Sequence, residues 1–198
     1  VGSTAYTRAA YLTFAPGECV LEAGSERGEG STRFLADLAL ERGVPFFAID
    51  PDPEVIAVIE AEIPGATAVH ARAEDALRDW DGPAPRFAWL DGYDWPYSWA
   101  PSSQWLPGQQ LRYGARGEVI TEEASAASHL AIAELLHPLM PPGAVIGIDD
   151  TWLRGHGGWQ GKGSAAVPWL TRHGWRLIEH TMGMEPGDGF ATLRKDAG

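Results

Sequence analysis

Short apolar runs alternate with segments of helical spacing, and this alternation most narrows the folds open to the chain. The runs lie at 18–23, 45–49, 66–70, 86–90 and 144–148. Between them, apolar residues recur three and four apart: Phe34, Leu35 and Leu38 in 31–42, Val55, Ile56 and Ile59 in 53–63, and Ala126, Leu130, Ala133 and Leu136 in 122–139. A shorter helix is expected at 74–79, and another at 165–173. Gly43, Pro141-Pro142-Gly143 and Gly174 stand where helices should stop, and Pro53 sits at a tolerated first-turn position. Strands that alternate with helices form a parallel sheet with helices on both faces. The last two runs, 175–180 and 190–194, have no helix between them and should make an antiparallel hairpin at one edge. The expectation is a single α/β domain with a doubly wound, seven-stranded, mostly parallel sheet. Residues 1–17 are weakly patterned, with Tyr6, Ala9, Ala10 and Thr13 suited to one face of a short helix. Residues 92–121 show no clear period and read as an insertion, and 154–164 reads as a glycine-rich loop.

Charge limits the partners. Lys plus Arg is 15 against 27 Asp plus Glu, a net −12 over 198 residues. Such a charge repels phosphate backbones and anionic lipid, so neither nucleic acid nor membrane is an expected partner. One cysteine, Cys19, rules out a disulfide framework and a cysteine zinc cage. No run approaches the roughly 18 apolar residues of a membrane span, and no secretory segment opens the chain. These features read as a soluble, cytoplasmic protein. The chain starts at Val1 rather than Met, which leaves room for residues upstream.

In a doubly wound sheet, ligands bind at the carboxyl ends of the strands. After the first strand the sequence runs Glu22-Ala23-Gly24-Ser25-Glu26-Arg27-Gly28-Glu29-Gly30-Ser31. Its glycines permit close backbone approach, and the helix after it offers free N–H groups. The spacing G-x-x-x-G-x-G departs from the dinucleotide pattern G-x-G-x-x-G. Three glutamates in and before the turn would also repel a pyrophosphate. Asp50 ends the second strand, 20 residues after Gly30, where a carboxylate can accept both hydroxyls of a ribose. The pair points to a ligand with a ribose and a cationic or zwitterionic part.

The E-x-G-x-x-x-G-x-G turn, the acid at Asp50 and the strand pattern with its terminal hairpin resemble the class I S-adenosylmethionine-dependent methyltransferases, over nearly the whole chain. The resemblance implies that Gly24 and Gly28 let the backbone approach the methionine part of the cofactor. It places Glu22 or Ser25 near the methionine amino group, Ser31 at the start of the following helix and Asp50 on the ribose. Ala73 and Glu74, after the third strand, fall where that family contacts adenine; Glu74 equally suits a helix cap.

Asp91 ends the fourth strand, and Asp149-Asp150 end the fifth. Neighbouring strands lie about 4.8 Å apart, so three carboxylates should converge. A hard divalent cation would relieve their repulsion, and oxygen ligands suit Mg²⁺, Mn²⁺ or Ca²⁺; alternatively Asp150 caps the following segment and Asp91 contacts the ligand only. The pattern L-D-G after strand four with P-G-x-x-x-x-D-D further on is similar to the Mg²⁺-dependent O-methyltransferases of the macrocin and novobiocin-tailoring type, enzymes of secondary metabolism. There the acids matching Asp91, Asp149 and Asp150 hold the metal. A metal so placed lowers the pKa of an acceptor hydroxyl and aims it at the sulfonium methyl. The family's second acid after strand four is displaced by one here, to Asp94. The general base therefore stays open among Asp94, Lys162, His156 and His129. Lys162, in Gly161-Lys162-Gly163, equally reads as a solvated charge, and the segment is not a phosphate loop.

Six of the nine tryptophans lie in 89–159. Tyr93, Trp95, Tyr97, Trp99, Trp105 and Tyr113 leave directly from the Asp91 loop. Long loops are often lids, and aromatics suit flat or sugar-like ligands. With Trp152 and Trp159 they could form the pocket for a small hydroxylated acceptor, or a local mini-core, or a homodimer contact. Two other functions remain open: a nicotinamide-dependent oxidoreductase, opposed by the glycine spacing, and a non-catalytic binder of the same fold.

Overall fold

The computed structural model describes residues 5–25, 28, 30–96, 105–155, 157–182 and 189–197. A 3-10 helix, Ala5–Tyr11, precedes the alternating elements. These are β1 (Glu18–Ala23), α1 (Ser31–Arg42), β2 (Phe46–Asp50), α2 (Pro53–Glu62), β3 (Ala66–His70), α3 (Ala73–Arg78) and β4 (Ala84–Leu90). After them come α4 (Trp105–Ala115), α5 (Glu122–Leu139), β5 (Val145–Asp149), β6 (Thr151–Leu153), β7 (Trp159–Gly161), α6 (Ala166–Arg172), β8 (Trp175–Met182) and β9 (Phe190–Lys195).

The strand order is β3-β2-β1-β4-β5-β9-β8-β6-β7. Strands β1 to β5 are parallel, and β9 runs antiparallel to both β5 and β8. The expected doubly wound α/β sheet with its C-terminal hairpin is therefore present. Two details differ. The described residues form nine strands, not seven, because β6 and β7 pair antiparallel with each other and extend the sheet beyond β8. Part of the insertion is helical, as α4.

The apolar runs work because each strand feeds two cores. Leu21, Ala23, Ile49, Ala88, Leu90, Ile146, Ile148 and Leu193 face one side, packed with Leu77 of α3, Ile132 and Leu136 of α5 and Leu170 of α6. The alternate residues Val20, Phe46, Ala48, Phe87, Trp89 and Val145 face the other side, against Leu35 of α1, Val55 and Ile59 of α2 and the N-terminal Ala5 and Ala9. A period of two along the strand sends successive side chains to opposite helix layers. Caps fix the helix starts. Asp52 accepts from the Glu54 N–H ahead of Pro53, and Thr121 accepts from the Ala124 N–H ahead of α5. No helix among the described residues is long and apolar enough to cross a membrane.

Candidate functional site

The carboxyl ends of β1, β2, β3 and β4 open on one cleft that is continuous with solvent. Gly24, Asp50, Ala73, Glu74, Asp91 and Asp94 all line it. The sequence had marked these six residues separately, and the topology brings them together.

Gly24 has φ +87° and donates its N–H to Ile49 O at 2.9 Å. A Cβ there would lie 2.3 Å from the Gly92 backbone, so the turns after β1 and β4 touch through two glycines. Asp50 is 7% exposed and uses both oxygens. Oδ2 accepts the Ser25 N–H at 3.0 Å, and Oδ1 accepts the Asp52 N–H at 2.9 Å. Each carboxylate oxygen has a second lone pair, so both can still accept from a diol. Burial pushes the Asp50 carboxyl up, partly offset by these two N–H donors. Ser25 itself is buried, and its hydroxyl makes no hydrogen bond. Gly28, at φ +69°, packs against Ile63, Val58 and Ile59, so its smallness also serves the closure of the turn on α2. Ser31 opens α1.

Glu22 is wholly buried, and neither of its oxygens has a hydrogen bond of normal geometry. Burial pushes its carboxyl up to about 7. The Ser31, Thr32 and Ser25 hydroxyls lie close enough to favour the anion and partly oppose the rise, while Asp91 adds to it. An unpartnered buried carboxylate is costly, and a cation beside it would relieve that cost.

Glu74 sits in the first turn of α3 without a side-chain capping bond. Its Oε1 accepts from Ser128 Oγ at 2.6 Å and faces Arg72 at 3.5 Å. Helix α4 covers the cleft with Gln109, Arg112 and Tyr113, joined by Arg116 just after it. Arg112 pairs with Asp52 Oδ2 at 2.9 Å, and Tyr113 Oη receives the Asp94 N–H at 2.8 Å. The partly exposed ion pair adds at most about 1 kcal/mol, whereas Tyr113 of α4 is buried and packs on Tyr93. Trp95 and Trp152 pack edge-to-face at 6.3 Å and are buried, so these two form a small core of their own. Trp159 packs on His180. Among the described residues of this segment, Tyr93 and Tyr113 are the aromatics that line the cleft.

The three aspartates converge as the sequence predicts. One oxygen each from Asp91, Asp149 and Asp150 lies within 4.8 Å of the others. Asp150 reaches the cluster in a left-handed conformation, φ +46°, a strained state typical of functional sites. Burial raises the Asp149 carboxyl well above the usual range, with Asp91 and Asp150 adding to it. As a donor set, hard carboxylate oxygens suit Mg²⁺, Mn²⁺ or Ca²⁺. The surroundings do not suit an added ion, because the cluster already contains a cation. Lys162 Nζ lies 2.6 Å from Asp91 Oδ1 and 3.1 Å from Asp150 Oδ2. An ion bridging Asp91 and Asp150 would compete for the same oxygens.

The solvated-charge alternative for Lys162 does not hold. This lysine is 2% exposed and ion-paired. Burial pulls its pKa down, but Asp91, Asp150, Asp149 and Asp94 outweigh burial and hold it well above the usual lysine value. The ring of acids thus favours its ammonium form. His129 is buried on α5 and gives Nδ1 to Ser125 O at 2.8 Å. Burial, with Lys162 nearby, pushes its pKa down to about 3, so it stays neutral away from the cleft. His156 lies outside the described residues, as do Glu26, Arg27, Glu29, Tyr97 and Trp99. Asp94 is the candidate base that both lines the cleft and is a carboxylate.

No family model matches the chain, and no curated protein does. Solved structures do. A Streptococcus mutans protein assigned as a methyltransferase, solved with SAH, superposes with a TM-score of 0.60 at 13% identity, covering 96% of this chain and 94% of that one. An rRNA methylase from Streptococcus thermophilus gives 0.57 at 11% identity, covering 97% and 94%. The N-methyltransferase NodS from Bradyrhizobium japonicum gives 0.54 at 12%, covering 97% and 94%. At these identities the likeness establishes the Rossmann-like fold that such enzymes share.

Proposed function

We propose that the chain transfers the methyl group of S-adenosylmethionine to a hydroxyl of a small metabolite. One observation carries the reading: the Gly24 turn, the Asp50 carboxylate and Asp91 meet at the carboxyl ends of β1, β2 and β4 around a single cleft. Asp50 would accept the ribose hydroxyls, Ala73 and Glu74 would flank the adenine, and Glu22 would face the methionine ammonium behind the turn. The neighbour solved with SAH supports this cofactor.

The acceptor would enter beside Asp91, under Tyr93, Tyr113 and α4. Asp94 takes the hydroxyl proton as the oxygen attacks the methyl carbon. The C–S bond breaks as the O–C bond forms, leaving the methyl ether, the neutral thioether and one proton on the carboxylate. The sulfonium is already a strong electrophile, so the protein's work is orientation and proton removal. The net charge of −12 favours a small acceptor over nucleic acid, although two of the fold neighbours are called rRNA methylases. The family resemblance would add a divalent metal on Asp91, Asp149 and Asp150. Lys162 already holds two of those three carboxylates, so proton removal falls to Asp94.

Isothermal titration with S-adenosylhomocysteine tests the reading. Micromolar binding is expected, weakened about tenfold by Asp50→Asn, the loss of roughly one charged hydrogen bond of about 1.4 kcal/mol. No binding, or tighter binding of NADH, would move the nicotinamide alternative to the front.

A further inference from the structure

We propose that Lys162 is the built-in cation of the acidic cluster, an ammonium standing where the Asp91, Asp149 and Asp150 motif predicts a divalent metal. The first support is hydrogen-bond accounting. An ammonium has three N–H donors. Nζ has three oxygens in reach: Asp91 Oδ1 at 2.6 Å, Asp150 Oδ2 at 3.1 Å and the Asp91 carbonyl at 3.4 Å. The lysine is satisfied within the cluster.

The second support is the backbone that delivers it. Lys162 N–H donates to Asp150 O at 3.0 Å, and Gly163 N–H donates to Thr151 Oγ1 at 2.8 Å. Thr151 Oγ1 in turn donates to Asp149 O at 2.8 Å. The segment carrying the cation is therefore bonded to the residues carrying the acids. The flanking glycines make this approach possible. A Cβ on Gly161, at φ +82°, would lie 1.7 Å from Asp150 O, and one on Gly163 would lie 2.7 Å from the Thr151 side chain. A surface lysine needs no such flanks.

The third support is the cost of exchange. A metal entering on Asp91 and Asp150 would have to release Lys162. That would leave a buried ammonium without its partners, among the costlier states a protein interior can hold. The fixed ammonium would place positive charge beside the acceptor oxygen without any ion from solution. Only this last consequence rests on the methyl-transfer reading.

The test is Mn²⁺ titration of the intact chain, followed by the electron paramagnetic resonance signal of the free ion. Wild type should take up no Mn²⁺ at millimolar concentration. Lys162→Gln should bind it at least tenfold more tightly than wild type, and Lys162→Gln combined with Asp149→Asn should lose it again. Wild-type binding as tight as that of Lys162→Gln would overturn the proposal. So would a folded Lys162→Gln that binds none, because the ammonium would then stand in for nothing. Should Lys162→Gln fail to fold, wild type and Asp149→Asn decide: Mn²⁺ bound by wild type and lost in Asp149→Asn overturns the proposal, and no uptake by wild type upholds it. The titration uses no S-adenosyl compound, so its outcome is separate from that of the cofactor-binding test.

Discussion

Gly24→Ala should lower the thermal midpoint by about 10 °C and abolish S-adenosylhomocysteine binding. Two effects add. An alanine at φ +87° carries the left-handed penalty of roughly 1–2 kcal/mol. Its Cβ would also stand 2.3 Å from Gly92 Cα and N and 2.6 Å from the Asp91 carbonyl carbon. All three are backbone atoms, so no side chain can swing away. The turn after β4 must move, and with it Asp91. Forced overpacking costs about 1–3 kcal/mol more. Each kcal/mol is worth about 2–4 °C in a domain of this size. Gly43→Ala is the matched control. Gly43 ends α1 at φ +66° with nothing within 4 Å of its would-be Cβ, so it should show the left-handed penalty alone, about 2–8 °C, and keep full binding. Equal shifts for the two variants would mean that the contact between the two turns contributes nothing.

The parts of the fold that were legible in the sequence are those set by local chemistry. Runs such as ECVLEA and AVIGI had to be covered on both faces, and caps such as Asp52 before Pro53 mark helix starts without tertiary help. Strands β6 and β7 were not legible. Each is three residues long, too short to show a period, and the two exist through pairing with each other and, for β6, with β8. Helix α4 was hidden by its own breakers, since WLPGQQLRYGA carries Pro107, Gly108 and Gly114. The site was half legible. An acid at a strand end is visible in one dimension, so Asp50, Asp91 and Asp149 stood out. Which cation meets those acids depends on where a glycine-rich segment folds back, and that is a non-local fact. A signal for Lys162 was present nonetheless: a lysine between two glycines is an unusual choice for a solvated charge, but suits a backbone that must pass against another strand. His129 shows the same limit from the other side. It lies on the buried face of α5 with Ser125, Ile132 and Leu136, a spacing that marks it as interior.

Glu22→Gln should stabilise the unliganded protein at pH 8 by about 2–4 kcal/mol, the worth of a two-to-three-unit displacement, while weakening S-adenosylhomocysteine binding at least about 30-fold, a charged pair's loss of roughly 2 kcal/mol or more. The sign follows from the direction of the shift. Burial raises the Glu22 carboxyl from 4.5 to about 7, so the folded state holds this proton more tightly than the unfolded chain does. The group therefore opposes folding increasingly as pH climbs from 4.5 to about 7, and by the full amount above that. Glutamine has nothing to ionise, so the difference between variant and wild type should be small at pH 4.5 and greatest at pH 8. Other carboxylates titrate in both proteins and cancel in the difference. The binding effect runs the opposite way, because a ligand ammonium beside Glu22 favours the anion. Wild-type affinity should fall about tenfold per pH unit below 7, and the variant should lose that dependence. Chemical denaturation at the two pH values and titration of the ligand across pH 5.5 to 8.5 measure both halves. A variant less stable than wild type at pH 8 would show that the Ser31, Thr32 and Ser25 hydroxyls already satisfy the carboxylate. Glu22 would then be a structural anchor of the turn rather than a strained anion kept for a cationic ligand. Stability given up in the empty protein and recovered on binding is the behaviour expected of a charge placed for its ligand.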